Sequence, residues 1–174
     1  MPAHKYARIE RERRYLVKQL PEDLDQHGEF TRIIDNYVNA TRLRLRRIET
    51  SDGEVIQYKL GQKYLTDDDD LENTVMTNLY LDAKEYGLLS ELPAAGLVKR
   101  RYTYMYAGQR FSLDVFEEQL DGLVLCEIEL PEDEVADIDL PPFVGRDVTQ
   151  DARFTGGELV EMSFDNVQEL TRMV

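Results

Sequence analysis

The sequence predicts a mainly β fold (α+β): about eight strands forming an antiparallel barrel or strongly curved sheet, with a few peripheral helices. Three observations predict it. Successive segments of nine to eleven residues alternate in polarity with period two. Short turn signals such as "SDG", "AGQ" and "LDG" join them. One internal segment alone, residues 83–92, carries helix signals.

The elements follow in order. Residues 8–18, "RIERERRYLVK", alternate and give the first strand. "FTRIIDNYVN" (30–39) and "TRLRLRRIE" (41–49) give the next two, and "SDG" at 51–53 turns the chain into "EVIQYKLGQKY" (54–64). "TDDDD" (66–70) reads as a solvated loop, because adjacent carboxylates repel and no calcium-loop pattern follows. "TVMTNLYLD" (74–82) is the fifth strand. Asp82 then caps a short amphipathic helix, "AKEYGLLSEL" (83–92), which Pro93 and Gly96 end. "LVKRRYTYMY" (97–106), "QRFSLDVFEEQ" (109–119) and "LVLCEIELP" (123–131) complete the strands. An acidic, proline-punctuated stretch, "PEDEVADIDLPP", comes next, and residues 156–174 read as a helical segment packed on the barrel.

The 174 residues suit one domain spanning 1–174, with no internal repeat and no dividing linker. A hydrophobic content of 42% is enough for a core. The net charge of −14 and pI near 4.6 speak against a general nucleic-acid or membrane-surface binder. There is no apolar run long enough to cross a bilayer, and "MPAHKYARIERERR" lacks the apolar core of a signal peptide. The lone Cys126, inside "LVLCEIEL", reads as a small buried side chain, and one cysteine fits a reducing cytoplasm. His4 and His27 have no ligand pattern around them, and the tyrosines of "RRYTYMY" read as barrel wall.

Side chains alternate across a strand, so residues of equal parity share a face. Glu10, Glu12 and Arg14 share one; so do Arg42, Arg44 and Arg46; Lys59 and Lys63; Lys99 and Arg101; Glu127 and Glu129. For any single strand a solvated face explains this. Like charges stacked along several strands are better tolerated where opposite charge or a bound ion faces them, and a closed barrel would aim all of these rows into one cavity. The leucines on the outer face then need cover from the helix, the C-terminal segment or a partner chain, which makes a homodimer one expectation. Paired glutamates suit a hard cation, Mg²⁺ or Mn²⁺, and rows of Arg and Lys suit a polyphosphate. Neither "GxxxxGK" nor "GxGxxG" occurs, so side chains must hold the phosphates.

These residues resemble the CYTH domain, or triphosphate tunnel metalloenzyme, superfamily. "IERERRYLV" is similar to its N-terminal ExExK signature, and "RLRLRR", "YKLGQK", "VKRRY", "FSLDVFEEQLDGLVLCEIELP" and "VGRDVTQDARF" follow in order. The resemblance spans about residues 6 to 160. It implies an eight-stranded antiparallel barrel enclosing a tunnel in which a small triphosphate is hydrolysed with a divalent metal. By that likeness Glu10, Glu12 and Glu129 are metal ligands. Arg44, Arg46, Lys59, Lys99 and Arg101 grip phosphates, with Arg14 and Arg42 alongside and Arg153 at a late basic position. Glu127, with Glu129 and Arg14, is placed at the chemistry, where a carboxylate such as Glu127 orients the attacking water. Asp114 matches an aspartate frequent on the seventh strand. Two departures stand out: the signature's third residue is Arg14 where lysine is usual, and "TVMTNLYL" lacks the acidic pair that many members carry before the helix. Inorganic triphosphate is the expected substrate, because no base pocket is evident and the acidic exterior disfavours RNA. The alternatives are a nucleoside or thiamine triphosphatase, a class IV-like adenylate cyclase, and a polyphosphate- or nucleotide-binding module without turnover.

Overall fold

The computed structural model describes residues 5–24, 29–65, 70–131 and 138–173. His4, His27, residues 66–69 of the acidic loop and residues 132–137 lie outside them. Eight strands form a closed antiparallel barrel: β1 (Arg8–Val17), β2 (Phe30–Val38), β3 (Leu43–Glu49), β4 (Val55–Leu65), β5 (Asn73–Leu81), β6 (Ala94–Tyr106), β7 (Gln109–Phe116) and β8 (Val124–Leu130). The order around the sheet is β5-β4-β3-β2-β6-β7-β8-β1, and pairing of β5 with β1 closes it. The strand Val144–Asp147, β9, was not expected from the sequence; it adds to β1 at Tyr15 and Val17.

β1 is the seam. One edge pairs with β8 from Arg11 to Leu16. The other edge is taken in succession by β5, by the Glu72 carbonyl, by Thr149 and Val148, and by β9. No stretch of that edge is left as a template for another chain. Tight hairpins fix the registers: the β6–β7 turn places Ala107 and Gly108 at φ 48° and 77°, the geometry of a two-residue turn that matches strand twist.

Asp82 does cap the helix α1 (Ala83–Leu89), in a capping box with Glu85. The helix stops at Leu89, earlier than expected, and β6 begins at Ala94, before the predicted strand start. The C-terminal segment is two helices, α2 (Gly156–Leu159) and α3 (Phe164–Thr171), because Ser163 starts a new helix through its own capping box with Asn166.

Two apolar cores follow. One lies on the outer face of β1, β6, β7 and β8, where Tyr15, Phe111, Leu113, Cys126 and Ile128 pack against Leu24 and Val144. In the other, Leu16, Leu97, Phe116 and Leu125 meet Phe154, Leu159, Val167 and Leu170. Leu97 and Leu125 share parity with the charged residues of their strands, so they form an apolar floor inside the barrel, covered by the C-terminal helices.

Candidate active site

Above that floor lies a chamber of about 460 Å³. Seven cationic side chains line it: Arg14, Arg42, Arg44, Arg46, Lys63, Lys99 and Arg101. They are met by Glu10, Glu12, Asp35, Glu127 and Glu158. Strand parity accounts for the set. Antiparallel pairing places Tyr37 opposite Arg44, Asp35 opposite Arg46, Arg101 opposite Asp114, and Arg14 opposite Glu127, each pair on one face. Gly61 on β4 leaves room for this density: a Cβ there would stand 3.1 Å from Asn78 Oδ1 and 3.7 Å from Arg44 Nη2.

Three carboxylates organise the cations. Asp114, fully buried on β7, accepts from Arg101 Nε and Nη2 at 2.6 Å each and from Lys99 Nζ. Asp35, buried on β2, accepts from Arg46 Nε and Nη2 at 2.6 Å each. Glu127 on β8 accepts from Arg14 Nε at 3.0 Å and from Arg101 Nη2 at 2.5 Å. Burial opposes charge on Asp35 and Glu127, yet the cations hold Asp35 down to about 2 and Glu127 well below the usual carboxylate range. Burial also lowers Lys99, against the pull of Asp114. The Arg44 Nε, buried and 3.8 Å from Asp35, makes no hydrogen bond. An orphaned buried donor on the chamber wall is a place for an anionic acceptor.

The β1 glutamates differ from these. Glu10 accepts from Lys63 at 3.0 Å and from Arg8 at 3.3 Å, and Lys63 draws its carboxyl down despite burial. Glu12 has Arg14 at 3.2 Å and Lys63 at 3.8 Å, but burial, and then the neighbouring Glu127 carboxylate, push it up to about 7. Burial and Glu127 thus outweigh the cations beside Glu12. Among the described residues no three His, Cys, Asp or Glu side chains form a ready-made metal cage. The donor set around Glu12 nevertheless suits a hard divalent cation: it is all oxygen, Glu10 lies two residues along β1, and Glu129 is in register opposite.

Of the remaining expected residues, Glu129, Lys59 and Arg153 fall outside the lining. Glu129 shares the Glu127 face but is exposed. Lys59 pairs in register with Arg46, half-buried, with its Nζ 5.7 Å from the Tyr80 ring centroid. Arg42 does line the chamber, stacked on the Tyr64 ring. Arg153 is not brought to the chamber: its side chain is 53% exposed and pairs with Asp151 at 2.6 Å. Lining residues given no role from the sequence include Asp35, Tyr37 and Glu158, while Lys63, read there only as sharing a charged face with Lys59, also enters. On β5 the inward positions Thr74, Met76 and Asn78 carry no carboxylate, in keeping with the missing acidic pair.

Comparison with known proteins matches this geometry. The CYTH domain model fits residues 8–160. Over 71 residues the chain is 39% identical to the inorganic triphosphatase of Acetivibrio thermocellus. That match covers 41% of this chain and 45% of the relative, so it spans under half of the relative's length. The crystal structure of the inorganic triphosphatase NE1496 is similar in fold, with TM-score 0.57 and 24% identity over 88% of this chain and 95% of that one. The PH1012 protein from Pyrococcus horikoshii OT3 is similar at TM-score 0.50, with 14% identity over 72% and 80%. With its closed eight-stranded barrel and a family match along most of its length, the chain belongs to the CYTH domain family.

Proposed function

We propose that the protein hydrolyses a small triphosphate, inorganic triphosphate above others, inside the chamber. The observation that carries this is the convergence of seven cations on a space of about 460 Å³, with Arg44 Nε left without a hydrogen bond. The family match and the inorganic triphosphatase relative support it. Phosphoryl transfer asks the protein mainly to position the chain and neutralise developing charge. Arg44, Arg46, Lys63, Lys99 and Arg101 serve that purpose, with Arg42 beside them on the lining and Lys59 in register with Arg46. Glu10, Glu12 and Glu129 would hold Mg²⁺ or Mn²⁺, which when bound supplies charge neutralisation at phosphate oxygens. Glu127 spends its oxygens on Arg14 and Arg101, so its proposed role shifts from orienting water to fixing those two guanidiniums. Arg14, bonded to both Glu12 and Glu127, ties the acidic side to the basic side, a bridging task for which a planar fork suits better than an ammonium. Among the described residues no helix is long and apolar enough to cross a membrane; we place the activity in the cytoplasm on the strength of the single reduced, buried Cys126.

The test is phosphate release from tripolyphosphate, ATP and thiamine triphosphate with Mg²⁺ or Mn²⁺, and in chelator. Tripolyphosphate is expected to be the best substrate, and Glu12→Gln to lose at least about 100-fold in kcat/KM. Failure to hydrolyse any of the three, or a Glu12→Gln variant at full rate, defeats the reading.

A second reading follows from the carboxylate-free inward face of β5. The same chamber would then bind polyphosphate without turnover. Tight tripolyphosphate binding with no phosphate released under either metal would favour it.

A further inference from the structure

Asp35 is set apart from the other chamber acids. It lies on β2, in "FTRIIDNYVN", away from both glutamate pairs, and its side chain is 1% exposed. Its two oxygens take Arg46 side-on, through Nε and Nη2 at 2.6 Å each. A guanidinium has five N–H groups. This grip uses two, and leaves the Nη1 pair and one Nη2 hydrogen for another acceptor. Arg46 lines the chamber, so an anion there is the acceptor available. The same carboxylate draws Arg44 to 3.8 Å without bonding its Nε.

We propose that Asp35 is a positioning residue for phosphate recognition: it locks Arg46 side-on, with Arg44 beside it, so that their remaining N–H groups meet the phosphates. This rests on the triphosphate reading above. A purely stabilising role explains the pair less well, because a buried ion pair gives little net stability over an apolar pair of equal volume. Its geometry, by contrast, is what bidentate recognition needs, since an arginine held on one edge presents the other without losing rotamer entropy on binding. Holding Asp35 down to about 2 keeps the lock charged across the working pH range.

The experiment measures tripolyphosphate binding by calorimetry, together with KM and kcat, in the full chain and in Asp35→Asn, Arg46→Met and the double variant. Asp35→Asn is expected to raise the tripolyphosphate Kd and KM by about tenfold or more, the worth of a hydrogen bond to a charged group, with kcat less affected. In the Arg46→Met background the same substitution should add little, because it acts through Arg46. An unchanged Kd in a folded Asp35→Asn protein, or costs that simply add in the double variant, overturns the inference. Should Asp35→Asn not fold, the comparison of Arg46→Met with the charge-free double variant decides: equal Kd supports the proposal, and a further tenfold loss refutes it. A wild-type protein that neither binds nor hydrolyses tripolyphosphate defeats the functional reading instead, whatever the variants do.

Discussion

At the scale of single residues, Glu12 pays for its position in stability. Its carboxyl is raised from 4.5 to about 7 by burial and by Glu127. A raised carboxyl binds its proton more tightly in the fold than in the unfolded chain. The fold is therefore free of this penalty below pH 4.5, loses stability as pH rises towards 7, and stays at the lower level above it. In chelator, Glu12→Gln should gain on wild type by about 1–3 kcal/mol between pH 5 and pH 8, a range set by the size of that shift and reduced for residual solvent contact. Urea denaturation at the two pH values checks this, and an identical gap at both refutes it. The parity of Glu10, Glu12 and Arg14 was legible in "RIERERR", since alternation is local. Asp35 was legible only in principle. A turn over residues 39–42 pairs Tyr37 with Arg44 and Asp35 with Arg46, but a lone acid on a face with Ile33 and Tyr37 reads as an interruption unless that hairpin register is drawn.

Among the elements, the C-terminal segment does more than cover leucines. Gly156, at the start of α2, lies against Tyr37 so closely that a Cβ would stand 1.9 Å from the hydroxyl and 2.8 Å from Cζ. Tyr37 in turn stands in register opposite Arg44. Gly156→Ala must lift α2 or swing the ring, and is expected to cost about 1–3 kcal/mol by overpacking and to raise KM through Arg44. Gly157→Ala, whose Cβ would meet nothing within 4 Å, is the control and should stay within about 0.5 kcal/mol of wild type. Denaturation midpoints and KM for both variants test this; a neutral Gly156→Ala would show that α2 does not bear on the floor. The sequence patterns carried the eight long strands because each has several alternating positions. β9 is four residues long and pairs with β1 at only two of them, Tyr15 and Val17, so it has too few positions to show a period. The break between α2 and α3 hides for a related reason: "GGELVEMSFDNVQEL" keeps a helical spacing of apolar residues through Ser163, and only the capping box shows where the helix restarts.

Across the whole molecule, charge is segregated. The chain carries −14, yet the chamber gathers seven cations against five lining acids, with Asp114 behind them. The chamber is therefore close to neutral when seen from a distance, and its cations act at contact range through directed hydrogen bonds. An approaching tripolyphosphate first meets the acidic exterior. At ionic strength near 0.01 M the screening length is about 30 Å, longer than the barrel wall is thick, and repulsion slows entry; near 0.1 M it is about 10 Å. Contacts inside the partly buried chamber are screened much less. We expect kcat/KM for tripolyphosphate, at fixed free metal, to rise as monovalent salt increases from about 0.01 to 0.1 M and to fall only beyond that. A basic-surfaced enzyme would show a fall throughout. Stopped-flow or initial-rate measurement across the series decides it: a monotonic decline would mean that the chamber's field reaches past the acidic shell and steers the substrate in.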